Sequence, residues 1–149
     1  TIIPQYYAFG DTVYGDELNM EPHDFYETMR NGELPKSMAN NPAVIREKFE
    51  QILKEGKNIL HIALSSALSG SCSTVIMISN ELMEQYPDRK ILVFDSLNAS
   101  LGEGVSVYRA VDLQKAGKDM EEVYDVLMEE RDHVNVSFTV DDLNHLQRG

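Results

Sequence analysis

The residues with the clearest capacity for chemistry are the serines of Ser65-Ser66-Ala67-Leu68-Ser69-Gly70-Ser71. They lie between an apolar strand-like run, Asn58 to Leu64, and a helix-like run, Ser71 to Gln85. That order gathers hydroxyls and backbone amides at a helix N-terminus, whose first N–H groups lack intrahelical partners and carry the positive end of the macrodipole. A phosphate, sulfate or carboxylate can be held there without a basic side chain. The loop points to an acidic ligand, with an ordinary capped helix as the simpler alternative.

A serine can also be a nucleophile, and Ser69 in a hydrolase or acyltransferase would need a base. His23, His61, His133 and His145 fall respectively at a helix start, inside a strand, before a strand and on a terminal helix, and no spacing brings one to Ser69. Ala67-Leu68-Ser69-Gly70-Ser71 is not a G-x-S-x-G elbow. A small phosphorylated ligand is a further reading, since the same helix start would serve it. Asp95-Ser96, after the second apolar run, reads as a capping loop and a secondary candidate beside Ser71. Cys72 lies where a helix start can lower a thiol pKa, yet a lone cysteine at an apolar position is usually inert, and it is assigned no chemistry. Val75, Ile76, Ile78 and Leu82 have the spacing of a core stripe that could also line an acyl tunnel. Glu121-Glu122 to Glu129-Glu130 reads as a solvated helix face.

These residues need elements to position them. Ile2 to Ala8 and Thr12 to Gly15 read as extended segments joined at Phe9-Gly10-Asp11, a hairpin. Pro22 opens a helix to about Asn31, stopped by Gly32 and Pro35. Asn41-Pro42 starts another, with Ile45, Phe49, Ile52 and Leu53 as its apolar stripe and an end near Gly56. Ser37, between these two helices, looks by itself like an ordinary polar loop residue. After Asn58 to Leu64 and its helix, the second strand-like run is Lys90 to Phe94, followed by a helix from Leu101 to Ala116 closed by Gly117. Asp119 caps a helix carrying Met120, Val123, Tyr124 and Leu127, and Val134 to Val140 is the third strand-like run, leading into a short helix around Asp142 to Leu146. Short strands separated by helices imply an α/β sandwich with a mostly parallel sheet. Ligands bind beyond the carboxyl ends of such strands, which gathers Ser65 to Ser71, Asp95-Ser96 and Asp141-Asp142 at one edge.

Composition narrows the classes. The 149 residues, 42% apolar, can bury one core. With 25 acidic against 13 basic residues the net charge is -12, which argues against nucleic acid and anionic membrane surfaces as partners. One cysteine excludes an internal disulfide, and no run approaches the roughly 20 apolar residues of a membrane span. The expected setting is cytoplasmic. Because the sequence opens on Thr1 and closes on Gly149 without a terminal element, it is expected to be a fragment.

Several motifs together resemble the DegV family of bacterial fatty-acid-binding proteins. They are Phe25-Tyr26, Leu34-Pro35-Lys36-Ser37, Ser65 to Ser71, Phe94-Asp95-Ser96 with Ala99-Ser100-Leu101-Gly102, and Asp142-Leu143-Asn144-His145-Leu146-Gln147-Arg148-Gly149. The resemblance implies a DegV-like N-terminal domain, a three-layer α/β sandwich with an N-terminal β-hairpin. It also implies that the family's first strand and helix precede Thr1 and that its second domain follows Gly149. It further implies a long-chain fatty acid between the two domains, its carboxylate held by Ser37, Ser69 and the Gly70 amide. Some such proteins are lipid-carrying subunits of a fatty acid kinase. The resemblance implies for this chain a non-catalytic role, without a cofactor or metal, that presents the lipid to a separate ATP-dependent kinase subunit for acyl-phosphate formation, a role in phospholipid metabolism that leaves transient membrane contact open. The lack of a G-x-x-x-x-G-K-[ST] loop agrees with a carrier. Where the family has Ser-Gln-Pro after its head-group threonine, this chain has Met38-Ala39-Asn40, and where it has Thr-Tyr after the Ser-Gly pair, Ser71-Cys72 stands here.

Overall fold

A computed structural model of the chain describes residues 1–15, 18–140 and 143. The expected helix around Asp142 to Leu146, the pair Asp141-Asp142 and His145 lie outside the described residues.

The N-terminal part is a small antiparallel sheet. Strands β1 (Tyr6–Phe9) and β2 (Thr12–Tyr14) form the expected hairpin, with Gly10 at φ 55° supplying the left-handed turn residue. Helix α1 (Pro22–Arg30) packs its Phe25 edge-on against Tyr7 and Phe9, at ring separations of 5.1 and 5.4 Å. Ser37, read from sequence as loop, belongs instead to β3 (Lys36–Met38), which pairs with β1 and sets Ser37 opposite Tyr7. Three residues carry too little periodicity to announce a strand, and the pairing with β1 makes it one.

The larger part is three layers. Strands β4 (Ile59–Ala63) and β5 (Ile91–Asp95) are parallel, joined by helix α3 (Ser71–Gln85). Helix α2 (Pro42–Lys54), capped by the Asn41 side chain accepting from Ala43 N, lies beside α3 on one face. Helices α4 (Leu101–Lys115) and α5 (Met120–Glu130) cover the other, and α5 opens with a full capping box of Asp119 and Glu122. Strand alternation divides the core between these faces. Ile59 and Ile91 pack with Ile45, Phe49, Leu53, Val75, Ile78 and Leu82, whereas Phe94 packs with Leu113, Val123 and Leu127. Each such side chain contributes about 1.5 to 3 kcal/mol of burial.

The third expected strand is corrected. Val134 to Val140 follows a 3-10 turn at Arg131–His133 and is in no strand, although its apolar residues alternate. It is tied to the start of α4: Asn98 Nδ2 donates to Val134 O, and a Cβ on Gly102 would stand 2.4 Å from Val136 Cγ2. Alternation makes a segment able to pair, but pairing needs an adjacent edge, and this one is held elsewhere.

Candidate functional site

The loop of Ser65 to Ser71 leaves β4 and enters α3, while Asp95 to Ser100 leaves β5 and enters α4. Ser65 N donates to Asn98 O, which holds the two loops side by side at the carboxyl edge of the sheet. Leu97 and Ser100 both take φ 52°, an uncommon setting for side-chain-bearing residues that concentrates strain in the second loop.

Asp95 and Ser96 are occupied inside this scaffold. Asp95 Oδ1 accepts from Ser66 N and from Leu97 N, each at 3.1 Å, and the buried Ser96 hydroxyl donates to Asn98 O. Burial raises the Asp95 carboxyl, but the hydrogen bonds from Ser66 and Leu97, with the Arg131 charge, outweigh it and hold the group below its ordinary value. These contacts brace the loops against each other.

Ser37, Ser69 and Ser71 do come together, lining a single cavity of about 790 Å³; Gly70 stands between two of them as the N-cap of α3. Gly70 carries no side chain to cap the helix, so the cap comes from Ser69, whose Oγ accepts from Ser71 N at 3.2 Å. The same Oγ lies 2.9 Å from Ser71 Oγ, and Ser71 Oγ donates to Asn40 Oδ1 at 2.7 Å. Asn40 is buried, and its amide orientation is fixed because Nδ2 donates to Pro4 O at 2.7 Å. A hydroxyl has one proton, and that of Ser71 is spent on Asn40, so Ser69 donates to Ser71. Within the Ser69–Ser71–Asn40 relay, the Ser69 proton is thus the one that can turn to an incoming acceptor without breaking the anchor. Ser37 sits on β3 with its hydroxyl bonded to no other described residue.

Sequence reading singled out the serines and missed Asn40, whose importance arises only when the loop after β3 brings it to Ser71. Cys72, beside Ser71, is buried, and burial followed by the Asp95 charge pushes its thiol up, away from reactivity. His61 lines the same cavity as Ser69, yet burial pushes its imidazole down to about 4, too weak a base for a serine nucleophile near neutral pH. Glu103 also lines the cavity, its carboxyl raised by burial. Of the stripe noted in the sequence, Val75, Ile78 and Leu82 are core, and Ile76 is exposed. Among the described residues no cluster of acidic, histidine or cysteine side chains is arranged for a metal, and no helix is long and apolar enough to cross a membrane.

Known proteins share this fold. A family model described as "Uncharacterised protein, DegV family" matches residues 1–149. A DegV domain-containing protein of Clostridium perfringens is 39% identical over 141 residues, which is 93% of this chain and 48% of that protein. Among solved structures, DegV of Bacillus subtilis, a fatty acid binding protein, superposes with a TM-score of 0.81 at 27% identity, covering 99% of this chain and 51% of that one. The Fatty Acid Kinase B3 protein of Streptococcus pneumoniae, loaded with linoleic acid, superposes with a TM-score of 0.73 at 28% identity, covering 87% and 45%. The chain spans about half the length of the relatives it matches. On its fold, its serine loop and a match along its whole length, the chain belongs to the DegV family.

Proposed function

We propose that the protein binds a long-chain fatty acid, with the carboxylate held by Ser37, Ser69 and the Gly70 amide, and presents it to a separate kinase subunit for acyl-phosphate formation. The observation that carries this is the meeting of Ser37, Ser69 and Ser71 at one cavity beside a helix start without a side-chain cap of its own residue. A carboxylate taken from bulk water needs its lone pairs satisfied, and charge-assisted bonds from hydroxyls and an amide supply about 1.5 to 3 kcal/mol each. Ser71 and Asn40 position the Ser69 hydroxyl from behind.

The tail supplies most of the affinity, at about 0.8 kcal/mol per buried methylene, so the serines orient more than they bind. Exposed Leu68 and Leu97 on the two loops and Leu101 at the start of α4 stand at the same edge and offer it an apolar surface. Support for the lipid comes from the fatty-acid-binding structures that this fold resembles, and support for the kinase comes from the Streptococcus pneumoniae protein.

Mass spectrometry of an organic extract from the purified full-length protein tests the reading, with Ser69→Ala handled identically. The expected result is a stoichiometric fatty acid in the unaltered protein. The variant is expected to retain lipid but to yield acyl phosphate at least about tenfold more slowly with ATP and the kinase subunit, because one charge-assisted bond is lost. Absence of lipid from the unaltered protein, or an unchanged rate in the variant, rejects it.

A further inference from the structure

The cavity at the serine site has one acidic side chain on its wall, Glu103, and, among the described residues, no lysine or arginine. Glu103 is half-buried, and its carboxylate has no hydrogen-bond or ion-pair partner among the described residues. Other polar side chains of the wall are engaged: Gln5 donates to Met38 O, Asn58 accepts from Lys90 N, and Asn40, Ser69 and Ser71 form the relay. His61, the other titratable side chain of the wall, is kept neutral by burial and packs against Phe49 of α2.

Glu103 stands in the first turn of α4, where an acidic side chain ordinarily serves the helix by its attraction to the N-terminal dipole. That role needs no burial. Here burial is the influence that acts on the group, and it raises the carboxyl above its ordinary value. An unpartnered carboxylate on an apolar wall costs the folded protein free energy, which a ligand carrying a hydrogen-bond donor recovers.

The two loops fix where this side chain stands. Ser65 N donates to Asn98 O, and from that junction each loop makes a turn into its helix: Ser69 N donates to Ser65 O before α3, and Gly102 N donates to Ala99 O at the start of α4. Helix α3 packs on the Ile59 and Ile91 face of the sheet, and α4 packs on the face of Leu60 and Ile62. Ser69 and Glu103 therefore flank the carboxyl end of β4 from opposite faces, with the cavity between them. Beyond Glu103 that wall is apolar, formed by Val107 one helical turn on and by Leu60 and Ile62. An acyl chain whose carboxylate lies on Ser69 and the Gly70 amide thus meets Glu103 within its first few carbons.

Resting on the lipid reading above, we propose that Glu103 is a specificity-determining residue that selects fatty acids bearing a hydroxyl near the carboxylate, by accepting the hydroxyl proton. A hydroxyl brings the donor without a second charge, whereas an ammonium would have to be desolvated with it. A plain chain leaves Glu103 unpaired and facing a ligand carboxylate of its own sign.

The test is competition with a fluorescent fatty acid on the full-length protein freed of lipid, comparing 3-hydroxyhexadecanoate with hexadecanoate. On a purely apolar wall the hydroxy acid is the weaker ligand, because its hydroxyl enters unpaired. The unaltered protein is expected to bind it at least about tenfold more tightly than hexadecanoate, the effect of one charge-assisted hydrogen bond. Glu103→Leu is expected to reverse the order, gaining affinity for hexadecanoate and losing it for the hydroxy acid, while Glu103→Gln, which keeps an acceptor without the charge, retains part of the preference. Equal or weaker binding of the hydroxy acid by the unaltered protein overturns the inference and leaves the lipid reading standing. A Glu103→Leu variant that keeps the preference, or that loses affinity for hexadecanoate, also overturns it. Binding of neither acid by the unaltered protein rejects the lipid reading itself.

Discussion

Asn40 shows what a single side chain does here. Its Nδ2 donates to Pro4 O and its Oδ1 accepts from Ser71 Oγ, fixing the direction of every proton in the relay to Ser69. Asn40→Asp keeps the acceptor, loses the donor to Pro4 O and adds a negative charge behind the head-group site. Fatty acid affinity is expected to fall at least about tenfold, measured by competition with a fluorescent fatty acid, while Asn40→Ala falls less because it adds no charge. Ser79 is the opposite case: its hydroxyl is buried in the α3 core with no hydrogen-bond partner among the described residues. Ser79→Ala is expected to stabilise the protein by about 1 kcal/mol in denaturant titration. The serines at the head of α3 were legible because their partners are a few residues away. Asn40 was not, since its partner lies 31 positions along the chain.

At the scale of elements, β4 carries a histidine among aliphatic neighbours. Burial holds His61 down to about 4 from 6.5, so on acidification the unfolded chain takes up the proton first. Its contribution to stability is complete above about pH 6.5, is lost as pH falls towards 4 and is constant below that, at up to about 1.4 kcal/mol per pH unit. Denaturant midpoints at pH 7 and pH 5 are expected to differ less in His61→Leu than in the unaltered protein. The junction of α4 with Val134 to Val140 is tight in another way. A Cβ at Gly102 would stand 2.4 Å from Val136 and 2.7 Å from Asn98 Oδ1, so Gly102→Ala is expected to lower the thermal midpoint, whereas Gly104→Ala, with open space around it, is not. Helices were read well from the chain because capping residues and apolar stripes are local: Asn41, Asp119 and the stripe of α2 all act within a few residues. Strands were read less well. Lys36 to Met38 and Val134 to Val140 have their fate decided by whether a distant edge is within reach, which no local pattern encodes.

The three-layer part of the molecule is held by two apolar clusters on opposite faces of a two-stranded sheet, and they are unequal. The α2 and α3 face buries Ile45, Phe49, Leu53, Val75, Ile78 and Leu82 with two strand residues, against four buried residues on the α4 and α5 face. Amide exchange is therefore expected to be slowest in α3 and faster in α4, in the order of local unfolding; equal protection would show a single cooperative unit. Burial also leaves the molecule a built-in reporter. Cys72 is the sole thiol, 1% exposed, in the first turn of the helix that begins at the serine site. Alkylation of the native protein by a maleimide can proceed only when that turn opens, so its rate clocks the breathing of the site without any engineered label. A ligand that seats on Ser69 and Gly70 closes the turn and stops the clock; one that binds elsewhere leaves it running.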